Sequence, residues 1–270
     1  MKPIDGMIRY LSKTLALAEM EVRKLRHDPT ELVTRVVQPI LWLLVFGEVL
    51  SKVRAIPTGN LTYLEFLTPG ILAQSVLFVA IFYGIAVIWE RDLGIVHKFL
   101  ASPAPRSALV LGKALSAGIR GLSQALIIYL LAILLGVHLR LGVPEILGVL
   151  VLVIIGAGVF STLSLIIACV VKTRERFMGI GQLLTMPLFF ASNALYPISL
   201  MPTWLQAIAW GNPLTYLVDA LRMLMLPGYS PEFSLAIDFG ALMLTMFILV
   251  LIGARLYPRL ARWIPALFTV

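Results

Sequence analysis

From Ile146 to Val171 the chain carries no charged residue and no proline. That run exceeds the roughly 20 residues a helix needs to cross a bilayer, and it is apolar on every side, so lipid or other protein must surround it. Several shorter runs repeat the pattern, and the chain as a whole is 60% hydrophobic and 13% charged, a balance that excludes an ordinary soluble domain. In lipid every backbone N–H and C=O must bond within the protein. An all-α integral membrane protein follows, read as one transmembrane domain over residues 1–270 with no nucleotide-binding domain.

Six spans are expected, at about 31–51, 68–89, 107–136, 145–171, 177–196 and 233–254. Asp28-Pro29-Thr30-Glu31 and Ser230-Pro231-Glu232 supply N-cap and proline start signals ahead of the first and last. Pro39 is expected to kink the first span. Residues 7–27 read as an interfacial amphipathic helix, with Ile8, Leu11, Leu15, Val22 and Leu25 on one face and Arg9, Lys13, Arg23 and Lys24 on others. Between 198 and 226, Pro202 and Gly211-Asn212-Pro213 cut an apolar stretch into pieces too short to cross; two helices that dip in and return fit better. Lys and Arg outside the spans gather in the N-terminal segment, the second-to-third connection, the fourth-to-fifth connection and the tail, whereas Lys52, Arg54, Arg140 and Arg222 fall on the other side. By the positive-inside rule both termini are cytoplasmic. Lys113 and Arg120, early in the third span, are expected to snorkel to the interface.

The longest charged interruption, around 90–101, reads as a short helix on the membrane surface. Leu93, Val96, Phe99 and Leu100 share one side, and Pro103 and Pro105 end it. It suits either a docking helix for a partner, with Phe99 and Leu100 as anchors and Glu90 and Arg91 fixing orientation, or an ordinary amphipathic connection.

Enzyme chemistry is not signalled. His27, His97 and His138 are scattered with no HExxH pair, no GxxxxGK[ST] stands anywhere, and Ser161 and Ser164 have no histidine nearby in sequence. Cys169 lies in an apolar run, where a small buried side chain is the simple reading, and no cleavable signal peptide is expected at the N-terminus. The basic residues are dispersed, which excludes a nucleic-acid patch. Among carboxylates, Glu48, Glu90, Asp219 and Asp238 sit near span ends, and Asp219 is spaced to pair with Arg222. Gln74, Phe78, Tyr83, Phe189, Phe190 and Asn193 either line a mostly apolar path with a few polar handles or simply pack helices together.

Three pieces then stand out in order: Tyr63-Leu64-Glu65-Phe66-Leu67-Thr68-Pro69-Gly70; Glu90-Arg91-Asp92-Leu93-Gly94 with Phe99-Leu100-Ala101-Ser102-Pro103; and Leu195-Tyr196-Pro197 through Asn212-Pro213-Leu214-Thr215-Tyr216 to Asp219-Ala220-Leu221-Arg222. With these the chain resembles the membrane subunits of type-2 ATP-binding-cassette exporters, in the daunorubicin-resistance and nodulation-factor branch. Phe99, usually Leu, and Asp92, often Glu, are mild departures. The resemblance implies a half-transporter in the inner membrane, paired with a second copy or a related subunit and with two ATPase chains that bind ATP and Mg, this chain holding no cofactor. It makes 90–101 the coupling helix, with Glu90, Arg91, Phe99 and Leu100 as ATPase-coupling residues. It also places Asn212, Pro213, Asp219 and Arg222 in the outer re-entrant motif and implies a drug, lipid-linked or glycoconjugate cargo. A proton-coupled transporter and a non-transporting scaffold are the competing readings.

Overall fold

The computed structural model describes residues 37–53, 56–96, 99 and 105–263. The expected interfacial helix at 7–27, the start of the first span, and Leu100 lie outside the described residues. A helical segment from 37 contains a π-helical turn, Trp42–Gly47, and continues as α1, Glu48–Val53. The remaining helices are α2 (Tyr63–Asp92), α3 (Arg106–Leu134), α4 (Val143–Val170), α5 (Arg174–Phe190), α6 (Thr203–Gly211), α7 (Pro213–Met225) and α8 (Leu235–Leu256). Among the described residues no strand occurs.

Among the described residues four helices are long and apolar enough to cross a membrane: α2, α3, α4 and α8, the last extended to Leu260 by a 3-10 turn. α2 is the central one. Of its most apolar window 78% is buried, against 17% for α8, whose Leu244, Phe247 and Leu251 face outward. An uncharged outward face of this kind is what hydrocarbon stabilises.

Two boundaries differ from the sequence reading. α2 begins at Tyr63, five residues before the expected Thr68, because Thr62 and Glu65 form a capping box: the Glu65 N–H donates to Thr62 Oγ1 at 3.3 Å and the Thr62 N–H to Glu65 Oε2 at 2.8 Å. Pro69 is absorbed inside the helix. α5 stops at Phe190, short of the expected Tyr196, and its 17 residues make only about 25 Å of helix. Residues 191–197 turn back, and the small side of α2 admits them, since a Cβ on Gly70 would stand 2.4 Å from the Ala194 carbonyl oxygen.

Adjacent long helices alternate in direction, so the bundle has two ends. One carries the 93–105 connection and is called here the docking end. The other, the far end, carries Thr62, Leu135, α6 and α7. His138, just past α3, bonds Glu65 at the start of α2 at 2.9 Å and marks the same level.

Candidate coupling site and transport cavity

At the docking end the last turn of α2 is wired into three other segments. Glu90, only 6% exposed, accepts from Lys113 Nζ on α3, itself 7% exposed. The expectation that Lys113 snorkels to the interface is thus corrected: the carboxylate opposite it, across an antiparallel helix pair that sequence spacing does not reveal, keeps it inside. Its ammonium also lies 5.8 Å from the Tyr83 ring centroid and 5.9 Å from that of Phe99, while Arg120 lies 5.2 Å from Tyr83. Arg91 donates to the Val171 and Lys172 carbonyls at the end of α4, at 3.0 and 2.7 Å, satisfying groups that a helix terminus leaves unpaired. Its Nε and Nη2 also reach Asp92, whose other oxygen accepts from Arg174 on α5 at 2.8 Å. The Arg174 guanidinium lies 3.4 Å from the Trp89 ring centroid.

Glu90 and Arg91 therefore turn toward this chain's own helices. The groups presented outward in that turn are Trp89, Asp92 and Leu93, the last 67% exposed. Gly94, at φ +72°, ends the helix in the left-handed conformation glycine permits, and its N–H bonds the Arg91 carbonyl at 2.9 Å. Val96 beyond it is buried, and Phe99 packs half-buried against the same apolar cluster.

The six candidate lining residues separate. Gln74 and Phe78 lie together on a cavity of about 260 Å³ walled by Gln38 and Pro39, by α2 and by Gln124 of α3. Tyr83 sits below it, beside the two basic residues. Phe189 is fully buried edge-on to Trp42 with centroids 5.6 Å apart, and Phe190 is 44% exposed. Asn193 is buried at the far end on a second cavity of about 260 Å³, together with Arg222. Sequence reasoning missed Gln38, Phe82 and Gln124 on the first cavity; the signal available was that Gln124, like Gln74, is an amide inside an apolar run.

The far-end motif is a joint. The Asn212 carboxamide oxygen caps α7 by accepting from the Leu214 N–H at 3.0 Å, and its Nδ2 donates to the Leu188 and Ala191 carbonyls at 2.7 and 3.3 Å. Pro213 occupies the first helical position, where a missing N–H costs nothing. The expected Asp219–Arg222 pair does not form. Asp219 accepts from the Tyr229 hydroxyl and from the Glu232 and Phe233 N–H groups. Arg222 donates to the Phe66, Asn193 and Ala194 carbonyls at 3.1, 2.7 and 3.0 Å and lies 3.5 Å over the Phe66 ring. The loop after α7 brought Asp219 a hydroxyl and two backbone donors, and Arg222 finds one carbonyl on α2 and two in the turn after α5; none of these partners is adjacent in sequence. Burial raises the Tyr229 hydroxyl above its ordinary value, which keeps it a donor to Asp219.

The family model described as ABC-2 type transporter matches residues 12–226. A putative transport permease, ycf38, of Cyanophora paradoxa is 27% identical over 263 residues, covering 94% of this chain and 90% of its own. The daunorubicin resistance ABC transporter permease protein DrrB1 of Streptomyces coeruleorubidus is 28% identical over 237 residues, covering 83% of each. The probable multidrug ABC transporter permease YbhR of Escherichia coli K12 is 27% identical over 205 residues, 75% of this chain and 54% of that one. With most of its length matched by the family model and by these permeases, the chain belongs to the ABC-2 type transporter family, as a membrane permease subunit.

Proposed function

We propose that this permease is the membrane half of an ATP-driven exporter that moves a hydrophobic drug, a lipid-linked compound or a glycoconjugate out of the cytoplasm. Two separate ATPase chains hold ATP and Mg and supply the energy, and a second permease copy, identical or related, completes the pathway. The chain crosses the plasma (inner) membrane six times with both termini cytoplasmic, α6 and α7 re-enter from the outer side, and the N-terminal amphipathic segment lies on the inner surface. Within 90–101, residues 90–92 complete the last turn of α2, and the part beyond Gly94 is the coupling helix, where Phe99 and Leu100 meet the ATPase.

The observation that carries the reading is the wiring of the turn just before that helix. Glu90 ties it to α3 through Lys113, and Arg91 ties it to the α4–α5 connection through two carbonyls. A push on 90–101 is thereby passed to α2, α3 and α4 as a rigid-body motion. Glu90 and Arg91 act as transmitters within the subunit, while Trp89, Asp92 and Leu93 offer the exposed surface beside the anchors.

The test is co-expression with the ATPase chain, purification in lipid discs, and measurement of ATP turnover with and without the permease. Replacing Phe99 and Leu100 with Ala is expected to abolish permease-dependent stimulation of turnover while the chain still purifies folded. Unchanged stimulation overturns the coupling role. Transport in sealed vesicles that persists without ATP, and that is lost in Glu90→Gln, supports the proton-coupled reading instead.

A further inference from the structure

The cavity beside Gln74 has a chemistry of its own. Gln74 is 11 residues into α2 from the far end and Gln124 is 10 residues back from the end of α3, so both stand about 15 Å below that end. That depth is the middle of a hydrocarbon layer about 30 Å thick. Polar side chains there are costly and mark sites. Gln74 is 3% exposed and its amide makes no hydrogen bond among the described residues; Gln124 is 1% exposed and its Nε2 has no partner among them. Ser75, by contrast, satisfies itself on the Ile71 carbonyl at 2.8 Å. Two buried amides at one depth, one of them with an unpaired nitrogen, therefore line one cavity, with Gln38 at its exposed rim.

The rest of the wall says what such a cavity takes. Among the described residues that line it none is charged, so a charged group entering meets no counter-ion there to offset the loss of its water. Phe78 and Phe82 stand stacked along one side, ring centroids 6.2 Å apart and planes 27° from parallel, which suits a flat ring laid alongside. Each glutamine offers two donors and an acceptor. At about 260 Å³ the space far exceeds the roughly 10–15 Å³ of probe volume that one water needs.

We infer that this cavity is the cargo-selecting site, and that it takes an uncharged, flat cyclic group bearing both hydroxyl and carbonyl oxygens, held by Gln74 and Gln124 against Phe78 and Phe82. The inference rests on the exporter reading for the word cargo, but the binding itself needs neither ATP nor the ATPase.

The experiment titrates the full chain in lipid discs with a fluorescent hydroxyflavone, whose emission responds to hydrogen bonding. Anthracene, which has no oxygen, and tetraphenylphosphonium, which is cationic, serve as comparison probes. Saturable hydroxyflavone binding is expected, weakened at least tenfold in Gln74→Leu and in Gln124→Leu, with anthracene partitioning unchanged. Leucine fits an apolar helix and removes an unsatisfied amide, so both variants are expected to fold, and the melting temperature of each checks this. Hydroxyflavone affinity in both variants equal to that of the parent, or displacement of the probe by tetraphenylphosphonium, overturns the inference. ATP-driven export in a preparation that shows no saturable probe binding overturns this site and leaves the exporter reading standing; saturable, glutamine-dependent binding without any ATP-driven export does the reverse.

Discussion

A buried arginine sits at each end of the bundle, and the two are held in different ways. Arg222 at the far end spends its donors on three backbone carbonyls and lies flat on Phe66. Arg91 at the docking end also holds two carbonyls, but it shares Asp92 with the half-exposed Arg174, and its neighbour Glu90 is paired with Lys113 on another helix. Carbonyls in a fixed turn offer an arginine one arrangement. Carboxylates and cations on separate helices can exchange partners when the helices shift. The far end is thus built as a clamp and the docking end as an adjustable web, the division that the proposed drive from one end requires.

The sharpest way to break this comparison is at the clamp. Arg222→Met leaves three buried carbonyls without their donor, each worth about 1–3 kcal/mol, so a loss on the order of 5 kcal/mol is expected, near the whole margin of a domain. Arg222→Lys should rescue little, because an ammonium lacks the planar fork that reaches the α2 carbonyl and the 193–194 turn together. The measurement is the yield and melting temperature of purified protein. A melting temperature within a few degrees of the parent would show that the clamp is not structural.

The web is expected to fail differently. Lys113→Met leaves Glu90 buried without its cation and is expected to cost about 3–5 kcal/mol. The double variant Glu90→Gln with Lys113→Met should recover most of that stability, since removing both charges removes the unpaired one. Permease-dependent ATP stimulation should not recover with it. Recovery of both together would mean that the pair serves folding alone and that the two ends do not differ in kind.

Legibility in the sequence follows the range of each signal. The long helices were readable because a run such as 146–171 decides its own environment, and α3, α4 and α8 came within about two residues of their observed bounds. The start of α2 was written in Thr62-Tyr63-Leu64-Glu65, a local capping signal, but Pro69 argues locally for a later start and the helix tolerates it. The end of α5 was not readable, because what stops it is the close fit of the 191–194 turn against Gly70. The site divides along the same line. Amides inside apolar runs are visible one at a time, but that Gln74 and Gln124 share a depth is a property of antiparallel packing. Likewise the spacing of Asp219 and Arg222 suggests a pair, and only tertiary structure supplies the carbonyls and N–H groups that hold them apart.

Between the two ends lies a contact that joins them. Ser164 on α4 inserts its hydroxyl into the ladder of α2, donating to the Ile81 carbonyl and accepting from the Gly84 N–H at 3.0 Å. The space exists only because residue 84 is glycine: a Cβ there would stand 2.2 Å from Ser164 Oγ and 2.4 Å from the Phe177 ring. Gly84→Ala is expected to cost about 1–3 kcal/mol through overpacking and to reduce coupled ATP turnover, because it forces α4 away from the segment of α2 that links Gln74 to Glu90. A normal melting temperature with normal turnover would show that the two helices have slack at this point.

The smallest effect is expected at the capping box, and it makes the comparison finest. Thr62→Ala removes the side-chain acceptor that the Glu65 N–H uses and frays the first turn of α2 at the far end, at a cost of about 1 kcal/mol. Glu65 retains His138 and the Thr62 N–H as partners, so the loss stays local. Because the web at Glu90 and Arg91 is about eight turns away along a largely buried helix, ATP stimulation per folded molecule should match that of the parent. A drop in stimulation larger than the drop in folded protein would mean that fraying at Thr62 reaches the docking end through α2, and that the far end is part of the moving machinery after all.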